Sequence, residues 1–436
     1  MKIPTRILAP ILVALACAAL LVAVLWWELY RSTEWLIERT SPTDGLTGGS
    51  GSFLAPLLPA IDPRDRALLE LRHGDIAALR GDWAQAQSHY EASVKNGGGI
   101  PALRKLAQAQ LQRRDYEHVA ETIQDLESAG AAPEDVLLLR SLVELRSGDR
   151  AVARTALEAA ADSPHKSYGL SLLAIVEGNH EIAQQELNNV LQGWEPVLRT
   201  HARMLLDAYA EYARFPKSPE THLVILLARA LAQVQQCELA LPLLHSVTVQ
   251  ESDYRDAWIV KGYCELTSDR AAEALLSLER AYNLDPQKPE TQYFLGRAYQ
   301  AAADPINALT FFEYALANGF EPEGEIRQEI ARTALQLDNQ TLALEQYEAL
   351  LAVPEPSLSA YEGFVKTSLL LDDAASAYLK AQEAALRYPR EAGAFVLLGR
   401  AAYESDREAE ARAAVQTALE LDPLNEEAQE LKREIE

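Results

Sequence analysis

Cysteines, aromatic residues and bases are scarce in this chain of 436 residues. It has three Cys, 7% aromatic residues, and 40 Lys plus Arg against 64 Asp plus Glu. Three Cys are too few for a disulfide framework or a Cys-rich zinc site. The net charge of −24 disfavours bulk nucleic-acid binding, because a negative surface repels polyanions. A chain that is 48% hydrophobic, with 21 Gly and 21 Pro, is neither wholly disordered nor collagen-like.

Catalytic motifs are also missing from the sequence. It contains no GxxxxGK[ST] or GxSxG motif and no GxGxxG after a strand. His180 and Glu181 resemble the start of a HExxH zinc motif, but Gln184 stands where the second His would be. No segment outside the repeats described below is long enough for a catalytic domain. We therefore predict that the protein is not an enzyme and that it has no metal site and no cofactor.

The longest apolar run lies near the amino terminus. Residues 7–27 are 21 residues without a charge, preceded by a short flank over 1–6. As a helix with about 1.5 Å rise per residue they would span roughly 31 Å, the thickness of the hydrocarbon core. We expect an uncleaved transmembrane helix. The alternatives are a signal peptide cleaved after Ala14–Ala16, although that site lies mid-run, and a lipoprotein whose modified residue is Cys17.

Residues 28–63 are predicted to be a juxtamembrane segment followed by a flexible linker rich in Gly, Ser and Pro. Lys2 and Arg6 precede the apolar run, whereas the flank after it has mixed charge. This weak bias favours an amino terminus inside and the bulk of the chain outside. For a bacterial chain, that predicts a single-pass inner-membrane protein whose main part is periplasmic or extracellular.

The rest of the chain repeats one unit. The segments DAWIVKGYCELTSDRAAEALLSLERAYNLDP (256–286) and GAFVLLGRAAYESDREAEARAAVQTALELDP (393–423) show the pattern. Counted from the first residue of each unit, position 8 is a small residue in nine of ten units and position 20 is Ala in nine of ten. Small residues at these positions would allow two helices that cross there to pack with their axes 8–10 Å apart. The units start at 67, 100, 134, 164, 221, 255, 289, 324, 358 and 392.

These features resemble the tetratricopeptide repeat (TPR), a helix-turn-helix unit of 34 residues. The resemblance covers residues 67–423 and implies an all-α fold, a right-handed α-solenoid of about ten units. Its layout is similar to that of membrane-anchored bacterial TPR proteins. The divisions that we predict are units 1–4 over 64–196, an extra helix (197–213) and a break within 197–220, units 5–10 over 221–423, and a charged capping helix over 424–436.

In this family the first helix of each unit lines a concave groove that binds peptides or partner helices. Position 9 of that helix is basic in five of units 5–10. The resemblance therefore implies a groove for an acidic peptide; pairing of the bases with local acids, such as Glu362 before Lys366, is the alternative. The candidate partner-binding residues are Arg229, Tyr263, Tyr293, Arg297, Arg332, Lys366, Arg400 and Tyr403.

The groove positions of units 3 and 4 are apolar instead. They form a strip of Leu138, Leu142, Leu145, Tyr168, Leu172 and Ile175, too large to leave in contact with water. Either the extra helix or a tight local superhelix covers this strip, or it binds a partner helix or a second copy of the chain.

Cys237 and Cys264 are expected along the same edge of adjacent units. A disulfide between them is geometrically feasible if that face lies outside the cytosol. Two buried thiols are the alternative.

The sequence thus predicts a membrane-tethered scaffold or adaptor for protein or peptide partners. Bacterial relatives of this layout serve in cell-envelope assembly, including chaperone-like roles. The alternatives are a self-assembling oligomer built through the apolar strip and a regulatory subunit of a membrane enzyme.

Overall fold

The computed structural model of the protein describes residues 62–436. Within that range the chain forms 22 α-helices and no β-strand, so the predicted all-α solenoid is confirmed. The predicted transmembrane helix over 7–27 and residues 28–61 of the linker lie outside the described residues. The helices are α1 (Pro63–Leu79), α2 (Trp83–Lys95), α3 (Gly99–Gln112), α4 (Tyr116–Ser128), α5 (Pro133–Ser147), α6 (Arg150–Ala159), α7 (Pro164–Val176), α8 (His180–Gln192), α9 (Pro196–Ala213), α10 (Glu220–Gln233), α11 (Cys237–Gln250), α12 (Arg255–Thr267), α13 (Ala271–Leu284), α14 (Pro289–Ala301), α15 (Pro305–Ala317), α16 (Glu323–Gln336), α17 (Gln340–Leu351), α18 (Leu358–Leu370), α19 (Ala374–Arg387), α20 (Ala392–Glu404), α21 (Glu408–Leu421) and α22 (Glu426–Ile435).

The helices pack as consecutive pairs, and each pair also packs against the next. We call the two helices of a pair A and B, so that α1 and α2 are unit 1 and α20 and α21 are unit 10. Helix α9 lies between units 4 and 5, and α22 follows unit 10. Among the described residues, no helix has both the length and the apolar character required to cross a bilayer.

Glycine at position 8 allows the two helices of a unit to approach closely. A Cβ added to Gly296 in α14 would lie 2.5 Å from the ring of Phe312 in α15, and one added to Gly262 would lie 2.4 Å from Leu278. Both large side chains belong to position 24 of the same unit and are fully buried. The small residue of helix A and the large residue of helix B thus form one contact, which fixes the separation of the helices.

Replacing Gly296 with alanine should therefore destabilise the protein. We expect the free energy of unfolding to fall by about 1–3 kcal/mol, because the new methyl group displaces Phe312 from a close-packed core. Gly324→Ala is the matched control, since its added Cβ would meet only Leu350 at 3.7 Å, an ordinary contact. This control should be neutral or slightly stabilising. Urea unfolding would measure both, and equal stability of the two variants would contradict the crossing contact.

The turn inside each unit has a second constant feature. Position 15 adopts a left-handed backbone conformation in all ten units, which ends helix A and reverses the chain. Asp or Gly, which tolerate this conformation better than other residues, occupies seven of the ten positions. The residues are Gly81, Arg114, Gly148, Gly178, Gln235, Asp269, Ala303, Asp338, Asp372 and Asp406.

Early units of the chain also pack against middle ones. Gln112 Nε2 donates to Gln235 Oε1 at 3.0 Å, and Arg114 Nη2 donates to Ser268 Oγ at 2.8 Å. These hydrogen bonds join unit 2 to units 5 and 6, and a continuous hydrophobic core extends from unit 2 to unit 6. The superhelix is therefore tight enough in this region to bring distant repeats into contact.

Candidate functional site

The candidate groove is formed by the A helices of units 5–10. The five bases at position 9, which we call the basic row, lie on these helices. Their side chains are between 36% exposed, at Arg400, and 60% exposed, at Arg332. All five side chains thus retain solvent-accessible surface. The members of the basic row are Arg229, Arg297, Arg332, Lys366 and Arg400.

A buried carboxylate connects two members of the row. Glu329 is only 4% exposed, and its Oε1 lies 3.8 Å from Nη1 of Arg297 and in contact with Nη2 of Arg332. Gln300 Nε2 donates to the other carboxylate oxygen at 3.1 Å and to Thr333 Oγ1 at 3.0 Å. Both arginines therefore stabilise a charge within the fold, so they are not free for a ligand.

The last two bases of the row have exposed partners. Lys366 Nζ lies 2.7 Å from Glu362 and 3.2 Å from Glu427, and Arg400 contacts Glu434. Burial acts to lower the pKa of Lys366, but the hydrogen bond and charge of Glu362 outweigh it, so that this pKa is raised. Exposed ion pairs contribute only about 0–1 kcal/mol each, and a ligand carboxylate can exchange with them.

Arg229, the first member of the basic row, forms an ion pair with the extra helix α9. Arg229 Nη2 donates to Glu211 of α9 at 2.6 Å. Every base of the row thus has an acidic neighbour. Three of the bases pair within their own helix, as the local-pairing alternative predicted, whereas Arg229 and Arg297 pair with acids of other helices. The groove has mixed charge, and the sequence pattern overstated its positive potential.

The aromatic groove residues differ in accessibility. Tyr293 is 2% exposed and stacks on Phe320 with ring centroids 4.2 Å apart, so its assignment to a binding surface was wrong. Burial and the hydrogen bond to Glu325 raise the pKa of Tyr293. Tyr263 is half-buried, edge-on to a neighbouring ring, and Tyr403 is half-buried against the core of the last units. These two retain accessible surface.

The apolar strip of units 3 and 4 is part of the core. Leu142, Leu145, Tyr168, Leu172 and Ile175 are at most 8% exposed, and Leu138 packs against the same cluster half-buried. Helix α11 of unit 5 contacts both α5 and α7, which carry the strip. The proposed self-association surface is therefore wrong: the superhelix itself covers these side chains.

Arg146 connects these distant units. Its side chain is 1% exposed and donates to three oxygens: Leu111 O at 2.9 Å, Gln235 O at 2.6 Å and Gln236 Oε1 at 3.1 Å. Burial lowers the pKa of Arg146, and the charge of Glu238 offsets part of that effect. A buried guanidinium is stable only with such partners.

A cleft of about 920 Å³ opens beside Arg146, where units 2 and 3 meet units 5 and 6. Its walls include Tyr116 and Trp258, with Lys261 Nζ 5.3 Å from the Trp258 ring centroid. Lys261 also contacts Glu265 at 2.7 Å, so this cation is neutralised locally. This cleft was not predicted, because no repeat pattern in the sequence indicates which distant units touch.

Cys237 and Cys264 are paired in the structure. They form a disulfide between the start of α11 and the end of α12, with Cα atoms 5.0 Å apart. Thr267 Oγ1 donates to the Cys237 sulfur at 3.3 Å. The bond joins units 5 and 6 next to the contacts of Arg114 and Arg146.

A family model described as the tetratricopeptide repeat matches residues 225–289 and 370–426. The chain thus contains tetratricopeptide repeats. The two matched stretches lie in units 5–6 and units 9–10. The TPR fold is typical of scaffolds for protein–protein interaction.

Solved structures of other TPR proteins are similar over part of the chain. YrrB, described as a TPR protein with an unusual peptide-binding site, is 18% identical, and the match covers 44% of this chain and 97% of YrrB with a TM-score of 0.39. PilW, a type IV pilus biogenesis factor, is 16% identical over 49% of this chain and 99% of PilW, with a TM-score of 0.42. Yeast Tom70 is 12% identical over 85% and 94%, with a TM-score of 0.34. No curated protein matches this TPR protein.

Proposed function

We propose that this TPR protein is a membrane-tethered adaptor that binds protein partners in the groove of units 9 and 10 and serves in assembly at the cell envelope. The observation that supports this most directly is the accessible pair Lys366 and Arg400, whose ion pairs are exposed. The predicted helix over 7–27 would be the tether, and the linker over 28–63 would allow the repeats to reach a partner.

The partner that this groove suits is an extended acidic segment. Successive A helices lie roughly 10 Å apart, taken from helix packing distances, and an extended peptide advances about 3.3 Å per residue. A carboxylate at about every third residue would thus meet successive bases. Each ligand carboxylate would replace an acid of the groove itself, and the half-buried Tyr403 would add apolar contact.

The paired cysteines support a location outside the cytosol for the repeats. Structural disulfides persist in oxidising compartments and are rare where thiols are kept reduced. This agrees with the orientation predicted from Lys2 and Arg6. We accordingly propose an inner-membrane protein with its repeats on the periplasmic or extracellular side.

The groove hypothesis predicts a selective loss of partner capture. In Lys366→Gln with Arg400→Gln, capture from native membranes should fall about tenfold, equivalent to about 1.4 kcal/mol, because two charge contacts to the partner are lost. Crosslinking followed by quantitative mass spectrometry measures this loss. Arg297 and Arg332 are less suitable targets, since changing them would leave Glu329 buried without its cations.

The matched control is Lys380→Gln with Arg412→Gln. These bases also form exposed ion pairs, but they lie on the B helices α19 and α21, outside the groove. Both double variants remove two positive charges, so non-specific electrostatic effects should be equal. If the two variants capture the same partners at the same level, the groove is not the binding site.

A further inference from the structure

Unit 1 carries a cluster of metal-ligand side chains that the groove does not use. Glu70 and His73 lie about one turn apart on α1, and His89 lies on α2. One donor atom from each of the three lies within 4.8 Å of the others. Residues three apart share one face of a helix. The close crossing at Gly74, where an added Cβ would lie 2.4 Å from Tyr90, brings His89 opposite that face.

A fourth ligand-type residue reaches the cluster from the other end of the repeat array. Asp422, at the carboxyl end of α21, places Oδ2 2.9 Å from Nε2 of His73, although the two residues are 349 positions apart. Within unit 1, Nδ1 of His89 lies 2.9 Å from Oε2 of Glu70. The two imidazole centroids are 5.3 Å apart. The four side chains thus form one continuous group between the first and last repeats.

The charge of this group favours a bound cation. Glu70 is 8% exposed, and the Asp422 side chain is 18% exposed, so both carboxylates are partly removed from water. The base beside Glu70 is Arg66, 3.7 Å away, with a side chain 53% exposed. With neutral imidazoles the group carries two negative charges, which a divalent ion would balance.

We propose that Glu70, His73 and His89 bind a Zn²⁺ ion and that Asp422 completes the site as the fourth ligand. Two imidazole nitrogens and two carboxylate oxygens are ordinary zinc ligands at about 2.0–2.2 Å, and a tetrahedral arrangement of them has ligand–ligand separations of about 3.3 Å. The donor atoms of Glu70, His73 and His89 lie within 4.8 Å of one another, and side-chain rotation would bring them to that separation when the ion binds. The ion replaces the imidazole–carboxylate hydrogen bonds: each neutral imidazole binds it through one ring nitrogen and keeps its single proton on the other.

The bound ion would link the first and last repeats. Glu70, His73 and His89 belong to unit 1, whereas Asp422 directly follows helix B of unit 10. Coordination across this contact would hold the two ends of the repeat array together. No metal site was predicted from the sequence, because the His residues are scattered along the chain. Only the superhelix brings Asp422 to His73.

Zinc titration of the full-length protein, followed by calorimetry, tests the site. We expect about one Zn²⁺ per chain. His89→Ala and Glu70→Gln should each weaken binding by about 100-fold or more, and Asp422→Asn by about tenfold, since it removes one ligand at the edge of the site. Zinc should also raise the melting temperature of the unmodified protein and leave that of His89→Ala unchanged. The far-UV circular dichroism of each variant establishes that it is folded.

His118→Ala is the matched control. His118 is an exposed histidine of unit 2 that pairs with Asp115 at 2.6 Å, so its loss should leave zinc affinity unchanged. Equal affinity of folded His89→Ala and His118→Ala, or no zinc binding by the unmodified protein at micromolar concentration, would overturn the proposal. Unchanged affinity in Asp422→Asn would overturn the link between the first and last repeats.

Discussion

Arg146→Ala is expected to lower the free energy of unfolding by about 3–5 kcal/mol, the usual result of removing one partner from a buried charged network. The substitution leaves the carbonyl oxygens of Leu111 and Gln235 and the Gln236 side chain without the buried donor that they share. Because these groups belong to units 2 and 5, the contact between the units should open as well. Urea unfolding gives the loss of stability, and amide hydrogen exchange locates it.

The control lies on the same helix. Arg140 of α5 pairs with Glu127 at 2.9 Å, but its side chain is 50% exposed. Arg140→Ala should change stability by no more than about 0.5 kcal/mol, because surface pairs contribute little. In Arg146→Ala, the increase in amide hydrogen exchange should be concentrated in unit 5 and at the end of α3, which lose their contacts with Arg146. Similar losses in the two variants would show that Arg146 does not join these units.

Reduction of the disulfide should be the other large effect. Cys237 and Cys264 are 27 positions apart, and closing a loop of that size stabilises a fold by about 3–4 kcal/mol in the chain-entropy model. The unmodified protein should therefore unfold at lower urea concentration when reductant is present. The difference in unfolding free energy with and without reductant measures the contribution of the bond.

A variant without the two thiols gives the control. In the double variant Cys237→Ala with Cys264→Ala, reductant should not change the free energy of unfolding, because no disulfide is left to reduce. Any loss of stability from the altered packing should be the same with and without reductant. Mass spectrometry of protein purified from membranes without reductant should show no alkylation of either thiol. Free, alkylatable thiols would contradict the bond and remove one argument for a location outside the cytosol.

Local features of the fold were predictable because they depend on contacts within about 34 residues. The small residue at position 8 indicated a close helix crossing, and Gly296 against Phe312 has that geometry. The apolar period of residues 197–213 indicated an additional helix, and α9 spans Pro196–Ala213. In both cases residues that are close in sequence are close in space, so the periodicity of the sequence is enough to predict the structure.

The candidate groove was only partly predictable. Period and register placed Lys366 and Arg400 on accessible A helices, as the structure has them. The same reasoning placed Tyr293 on the surface, although its ring is buried under Phe320, a residue of the loop after unit 7. The repeat pattern describes positions within helices and not the loops between them. It therefore did not predict that the loop residue Phe320 would cover the ring of Tyr293.

The sequence by itself determined the unit, its repetition and the paired small and large residues that hold each unit together. Only the tertiary structure decided which distant units meet: Arg146 with Gln235, and His73 with Asp422. The physical reason is that small rotations between successive units accumulate along the array. No local pattern records their sum, and this sum determines which inner surface is buried, where the cleft opens and how the two ends of the array come together.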